Sequence, residues 1–292
     1  MRFMVLGAAG RMGSMHARHL MELGHEVVQV DPALPPLMDN NENWWVLPAD
    51  GVVIATPAEL HAEHLMKAIK HDFHVFIEKP ICLIPHLPDA RRAVQTAMEK
   101  RLVVSVGYNL RFHPLVVMER QRIVSRAMSP LWGSFVLRQN MTRHVNFLEE
   151  WASHEIDLAL HLFGRHWQDI KTLTRSDLPG VEQIQIMIRH QDGENPVSFI
   201  HVDGWKTEPF RRSFTIVDQD GVSRHHDIET NHVHPDHYKT ELKDWIAKIE
   251  GNDFNLRLAT GADGIAVIDL LQRVMVKNGV RKSAVDRSPA GI

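Results

Sequence analysis

The sequence predicts an α/β protein in two parts: a doubly wound parallel sheet over residues 1–112, then an α+β part over 113–292 with a largely antiparallel open sheet. Three observations carry that expectation. A glycine-rich turn joins the first apolar run to the first helical pattern, apolar runs alternate with helical stretches for about a hundred residues, and Val181 to Arg189 then switches to strict alternation. The length of 292 residues exceeds what one ordinary core uses and favours two packed domains.

Arg2 to Leu6 is a short apolar strand. It is followed by Gly7-Ala8-Ala9-Gly10-Arg11-Met12-Gly13, which opens a helical pattern lasting to about Leu23. Glycines there let the backbone turn tightly and approach a pyrophosphate, whose charge is met by free N–H groups and the helix dipole. The spacing is G-x-x-G-x-x-G, and it gains weight from the next strand. Glu26 to Val30 ends in Asp31, where a dinucleotide fold places the acid that bonds the adenosine ribose hydroxyls. That carboxylate would repel a 2′-phosphate, so the expected cofactor is NAD rather than NADP.

Pro32 to Pro48, rich in proline and asparagine, reads as an irregular connection. Gly51 to Ala55 is the third strand, with Thr56-Pro57 and a helix over 58–70 carrying His61 and His64 after it. His74 to Ile77 is the fourth and runs straight into Glu78-Lys79-Pro80. A lysine just past a buried parallel strand points its ammonium into the crevice where such sheets bind ligands. A helix over 87–100 and a strand over 102–106 complete the first part.

After Gly107 the pattern changes. Tyr108 to Pro114 leads into a helix reaching about Met128. Leu131 to Arg138, Val181 to Arg189, Val197 to Gly204 and Phe214 to Val217 read as strands of one sheet covered on a single face, and Asp220-Gly221 as a hairpin turn. Gln183, Gln185 and Arg189 lie on the uncovered face, which suggests a homodimer or homotetramer. At 100° per residue Glu150, His154, Asp157 and His161 fall within about 60° of one another, flanked by apolar residues on both sides. This stripe contains no lysine or arginine, unlike an ordinary wet face. It suits acid/base work, with His154 as proton carrier and the carboxylates orienting it; a metal site is the alternative.

Charge narrows the partners. Lysine plus arginine total 33 against 36 acidic residues, a balance that argues against a nucleic acid or an anionic membrane and for a small-molecule substrate. A single cysteine, Cys82, allows no intramolecular disulfide and fits a reducing, cytoplasmic setting. No stretch is long and apolar enough to span a membrane. The histidines at 225, 226, 232, 234 and 237 span a turn and Pro235, and read as a polar loop rather than a metal site.

Taken in order, the glycine loop with Arg-Met-Gly, Ala55-Thr56-Pro57 with His61, Glu78-Lys79-Pro80, Tyr108-Asn109-x-Arg111-Phe112-x-Pro114 and Ser153-His154-Glu155-Ile156-Asp157 resemble a known family. It is the glucose-fructose oxidoreductase and inositol dehydrogenase family of nicotinamide-dependent sugar oxidoreductases. The resemblance implies a Rossmann domain and hydride transfer between the nicotinamide and a hydroxyl-bearing carbon of a sugar, sugar acid or nucleotide sugar. It implies Gly7, Gly10 to Gly13, Asp31, Thr56, Pro57, His61, Glu78 and Lys79 at the cofactor. It also implies Lys79, Asn109, Arg111, Glu150 and His154 at the substrate, with Lys79 and His154 as the reacting pair and Glu150 or Asp157 as orienting carboxylate. Glu150 stands where the family commonly has aspartate. Within the family, Arg211-Arg212 and the motifs around Asn109 and Ser153 look most like members of surface-polysaccharide and unusual-sugar biosynthesis. Two other readings share parts of the pattern: a dihydrodipicolinate-reductase-like enzyme, which has the loop but no matching lysine motif, and a catalytically silent dinucleotide sensor.

Overall fold

The computed structural model describes residues 1–35, 44–140, 148–178, 181–191, 194–205, 210–228, 236–252 and 257–277. Five strands, β1 (Arg2–Leu6), β2 (Glu26–Val30), β3 (Gly51–Ile54), β4 (His74–Ile77) and β5 (Val104–Val106), form a parallel sheet in the order β2-β1-β3-β4-β5. Val5 faces Val53, Val53 faces Phe76 and Phe76 faces Ser105 across it. The central strands are apolar on both sides, so both faces must be covered. Helices α1 (Arg11–Glu22), α2 (His61–Lys70) and α3 (Leu87–Glu99) supply part of that cover.

The rest comes from the far end of the chain. Helix α6 (Asp236–Ile249) lies beside α1 and inserts Trp245, fully buried, against Phe3 and Phe76 at ring distances of 5.1 and 5.9 Å. Gly51 makes that possible, because a Cβ there would sit 3.0 Å from the indole. Helix α7 (Gly261–Lys277) packs on α3 and β5, and Ser105 bridges to Thr260. The strand pattern changes after residue 112, but two helices from beyond 113 complete the first sheet.

The second sheet contains β6 (Pro130–Asn140), β7 (Trp167–Leu178), β8 (Val181–His190), β9 (Val197–Trp205), β10 (Arg211–Asp218) and β11 (Ser223–Asp227), ordered β11-β10-β6-β9-β8-β7. Its pairings are antiparallel except β6 with β9, which is parallel. The turn at Gln219 to Val222 joins β10 to β11, with Gly221 at φ +80°, in the left-handed region glycine tolerates. One face buries Phe135, Ile186, Ile200, Phe214 and Ile216 beneath helix α5 (Ser153–Phe163) and α7. The other alternates to partly exposed residues, Gln183, Gln185 and Arg189 among them. Helix α4 (Pro114–Val124) links the two parts. Among the described residues no helix is long and apolar enough to cross a membrane.

Candidate active site

The glycine loop leaves β1 at the point where the strand order reverses, between β1 and β3, which is where such sheets bind ligands. Gly7 has φ +78°, and a Cβ on it would lie 2.5 Å from the Ala55 carbonyl. A Cβ on Gly13 would lie 2.0 Å from the Gly7 carbonyl. The loop is therefore folded as tightly as backbone permits over the ends of β1 and β3. Gly10 caps α1 without a side chain, and no acid occupies the first turn. The N–H groups of Arg11, Met12 and Gly13 have no helical acceptor and face outward with the positive end of the dipole, which fits a pyrophosphate. Asp31 holds the loop from the next strand: its carboxylate accepts the Ala9 N–H at 3.1 Å and the Ala33 N–H at 2.9 Å. A carboxylate offers about four lone-pair positions, so acceptors remain for ribose hydroxyls.

At the end of β4, the Lys79–Pro80 peptide is cis. Lys79 Nζ donates to the Glu150 carbonyl at 2.9 Å and lies 5.4 Å from the centre of the Trp151 ring. Burial lowers the pKa of this ammonium below the ordinary lysine value, with Glu78 and Glu150 pulling the other way. Residues 148–152 form a π-helical turn leading into α5, an insertion that often marks a functional site. His154, one residue into α5, is buried, with Nδ1 unpartnered and its ring edge-on to Tyr108 at 5.9 Å. Burial, then the charges of Lys79 and Arg212, push its pKa well below the usual histidine value. His154 is thus a neutral imidazole beside two cations.

Several expected residues take other places. Asp157 does not orient His154: its carboxylate accepts three contacts from Arg111, at 2.6, 2.9 and 3.2 Å, in a pair almost wholly buried. Arg111, expected at the substrate, also reaches Asp263 at 3.4 Å. The pair therefore ties α5 to the segment after β5 and to α7. Glu150 approaches Lys79 through its backbone carbonyl, and its half-buried carboxyl is shifted upward by burial. His61 is buried, with its ring nitrogens 2.6 Å from the Pro80 carbonyl and 2.8 Å from the Thr56 carbonyl. The neutral ring donates to one at a time, so His61 pins two cofactor-side loops together rather than facing the cofactor. Thr56 bonds His64 through its hydroxyl, at 3.0 Å. Glu78 turns inward to accept from His16 Nε2 at 2.7 Å, and a Cβ on Gly107 would press on its carboxylate. Asn109 is buried in the 3₁₀ turn that carries Arg111.

Arg212, Glu155, Tyr108 and Trp151 join the site without having been singled out for it. Arg212 Nε donates to Glu155 at 2.6 Å, and the Glu155 Oε2 and Tyr108 hydroxyl are buried without partners. A signal for Arg212 did exist: it alternates with Phe214 and Ile216 on the buried face of β10, and a cation on a core face needs a reason. Of the histidines between 225 and 237, His225 bonds Thr215 and Asp227, His226 bonds Glu119 and His237 stacks edge-on with His113; His232 and His234 lie outside the described residues.

The sequence profile of an oxidoreductase family with an NAD-binding Rossmann fold matches residues 36–108. Scyllo-inositol 2-dehydrogenase (NAD(+)) of Bacillus subtilis (strain 168) is 26% identical over 187 residues, covering 56% of this chain and 54% of that protein. The chain thus spans about half the length of that relative. Among solved structures, a dehydrogenase from Chromobacterium violaceum superposes with a TM-score of 0.79 at 17% identity, over 95% of both chains. GenD2 from gentamicin A biosynthesis, in complex with NAD, superposes with a TM-score of 0.75 at 18% identity, also over 95% of both. At such identities the superpositions establish the fold.

Proposed function

We propose that this chain, a member of the glucose-fructose oxidoreductase and inositol dehydrogenase family with its NAD-binding Rossmann fold, uses NAD to interconvert a hydroxyl-bearing carbon of a sugar or cyclic polyol with the corresponding carbonyl. The observation that carries this reading is the meeting of Lys79 and His154. Lys79 comes from the end of β4 and His154 from α5; the two are coupled electrostatically, and both are held off their ordinary pKa values. Bound NAD would supply a hydride acceptor, or as NADH a donor, at nicotinamide C4. The glycine loop, Asp31 and the Thr56-Pro57 turn would hold it.

The remaining chemistry belongs to the chain. In the oxidative direction His154, neutral at working pH, takes the proton of the substrate hydroxyl. Lys79, fixed by the Glu150 carbonyl, donates to the same oxygen and stabilises the negative charge that develops there. Trp151 and Tyr108 exclude water and keep these interactions in a low dielectric. Arg212, ion-paired with Glu155, is the further cation beside the pair. The partly exposed face of the second sheet supports pairing of two copies; light scattering at micromolar concentration should give a dimer or tetramer, and a strict monomer would refute that part.

The experiment is a thermal-shift panel of NAD and NADP crossed with inositols, sugars, sugar acids and nucleotide sugars, followed by turnover read from reduced-nicotinamide absorbance. Stabilisation by NAD and turnover of at least one polyol or sugar are expected. Stabilisation by neither dinucleotide would overturn the reading.

A further inference from the structure

A cavity of about 1130 Å³ lies at the carboxyl end of α5. His161 and Arg120 line it together with Arg111, Arg126, Arg165 and the loop around Pro130. His161 is seven residues beyond His154, about 10 Å along the helix, and the active-site residues Lys79, His154 and Arg212 do not line this space. The charge on its wall is lopsided. Arg111, Arg120, Arg126, Arg165 and Lys248 stand against the carboxylates of Asp263 and Glu194. Arg111 and Arg165 are accounted for by Asp157 and Asp263, Lys248 has a partner of its own, and Glu194 keeps its charge while accepting from the Gln219 amide.

What remains points to a ligand. Arg120 makes one long bond, Nη1 to the Leu162 carbonyl at 3.4 Å, while its Nε is buried without a partner. His161 is 7% exposed and its Nε2 is likewise unpartnered. Burial and the neighbouring Arg111 charge lower the Arg120 pKa, and burial, then both arginines, push His161 down. The carboxyl end of α5 offers a plainer reason for cations here. It represents only roughly half a negative charge, and it leaves both buried nitrogens without a partner.

We propose that this cavity binds a small anion carrying phosphate or carboxylate groups, held by Arg120 and His161 with Arg126 at the mouth. Guanidinium groups match the planar and tetrahedral oxygens of such ligands, and a charge-assisted bond is stronger than a neutral one. A ligand there would press on the helix that carries His154, through His161 and through the Arg111–Asp157 pair. The proposal is independent of the substrate chemistry at the other end.

The test is isothermal titration of the full chain with inorganic pyrophosphate and, separately, citrate, with and without saturating NAD. Binding of one or both that survives saturation with NAD is expected; which probe binds identifies the anion class. Arg120→Gln should weaken it by about tenfold or more. Arg126→Gln, a change at an exposed position, should weaken it less, and both should leave NAD affinity unchanged. Binding no tighter than about 10 mM for either probe overturns the site, as does binding displaced by NAD or indifferent to both substitutions.

Discussion

Replacing Asp157 by Asn separates a structural from a catalytic role for the stripe on α5. The change removes a buried carboxylate that takes three contacts from Arg111 and leaves that guanidinium with Asp263 at 3.4 Å. Asp263 is already accepting the N–H and hydroxyl of Thr260. Breaking a buried pair from one side costs about 3–5 kcal/mol; the asparagine carbonyl and Asp263 recover part, which places the loss near the lower bound. For a protein of this size that corresponds to a fall in Tm of roughly 5 °C. Arg111→Met should cost more, because it leaves Asp157 buried with no cation and Asp263 nearby. Activity should move differently: kcat of Asp157→Asn, measured well below its transition, should fall by less than about tenfold, against about 10²- to 10⁴-fold for His154→Asn with an unchanged Tm. A variant Asp157→Asn with wild-type Tm and a hundredfold loss of kcat would refute the structural assignment and return Asp157 to the chemistry.

Three further outcomes are expected. A base acts only when deprotonated, so the depressed His154 pKa places the acid limb of kcat/KM for oxidation below pH 6.5; a limb centred above that value contradicts the assignment. Asp31 at about 4 Å from a 2′-phosphate and an effective dielectric of about 20 repels it by ~4 kcal/mol before screening, and a third of that is about tenfold in affinity; titration should give tighter binding of NAD than NADP, with Asp31→Ser narrowing the gap. Glu241 is buried with both carboxyl oxygens unpartnered, and burial and then the nearby Glu78 raise its pKa well above the ordinary value. Its folded pKa exceeds the unfolded one, so stability is lost as pH rises from about 4.5 through the folded value. Glu241→Gln should therefore raise Tm at pH 8, with the gain shrinking toward pH 4.5, and a gain that grows on acidification contradicts this.

The parallel sheet was legible because its strands are short, mostly apolar runs followed by a helix or a motif, and the glycine loop and Asp31 mark two strand ends. The edges of the second sheet were not. β7 reads Trp-Gln-Asp-Ile-Lys-Thr-Leu-Thr-Arg-Ser-Asp-Leu and β11 reads Ser-Arg-His-His-Asp; edge strands carry charge that discourages further pairing, and β7 is further broken by two register shifts. Helices α6 and α7 went unread as parts of the first sheet because nothing local in Trp245 or Ile265 says which distant sheet it covers. That Lys79 and His154 come within reach of each other's charge was legible from their motifs. Their neighbours were not, since the angular reading of Glu150 assumed an ideal helix and the π turn at 148–152 breaks that register.

Helix α5 resolves a conflict that the sequence leaves open. All eleven of its residues are buried, so its acids could not remain as a solvated face, and an acid beside His154 would raise that histidine's pKa. Instead each acid is drawn to a different arginine: Asp157 to Arg111 after β5, and Glu155 to Arg212 on β10. Their charges are spent on joining the helix to the two parts of the molecule. His154 is left to feel burial and the cations Lys79 and Arg212, and all three act in one direction, toward a neutral imidazole. The pairings that fasten the helix are thus also what keep its histidine able to accept a proton at neutral pH, and an acid placed beside it would have traded that capacity for one more ion pair.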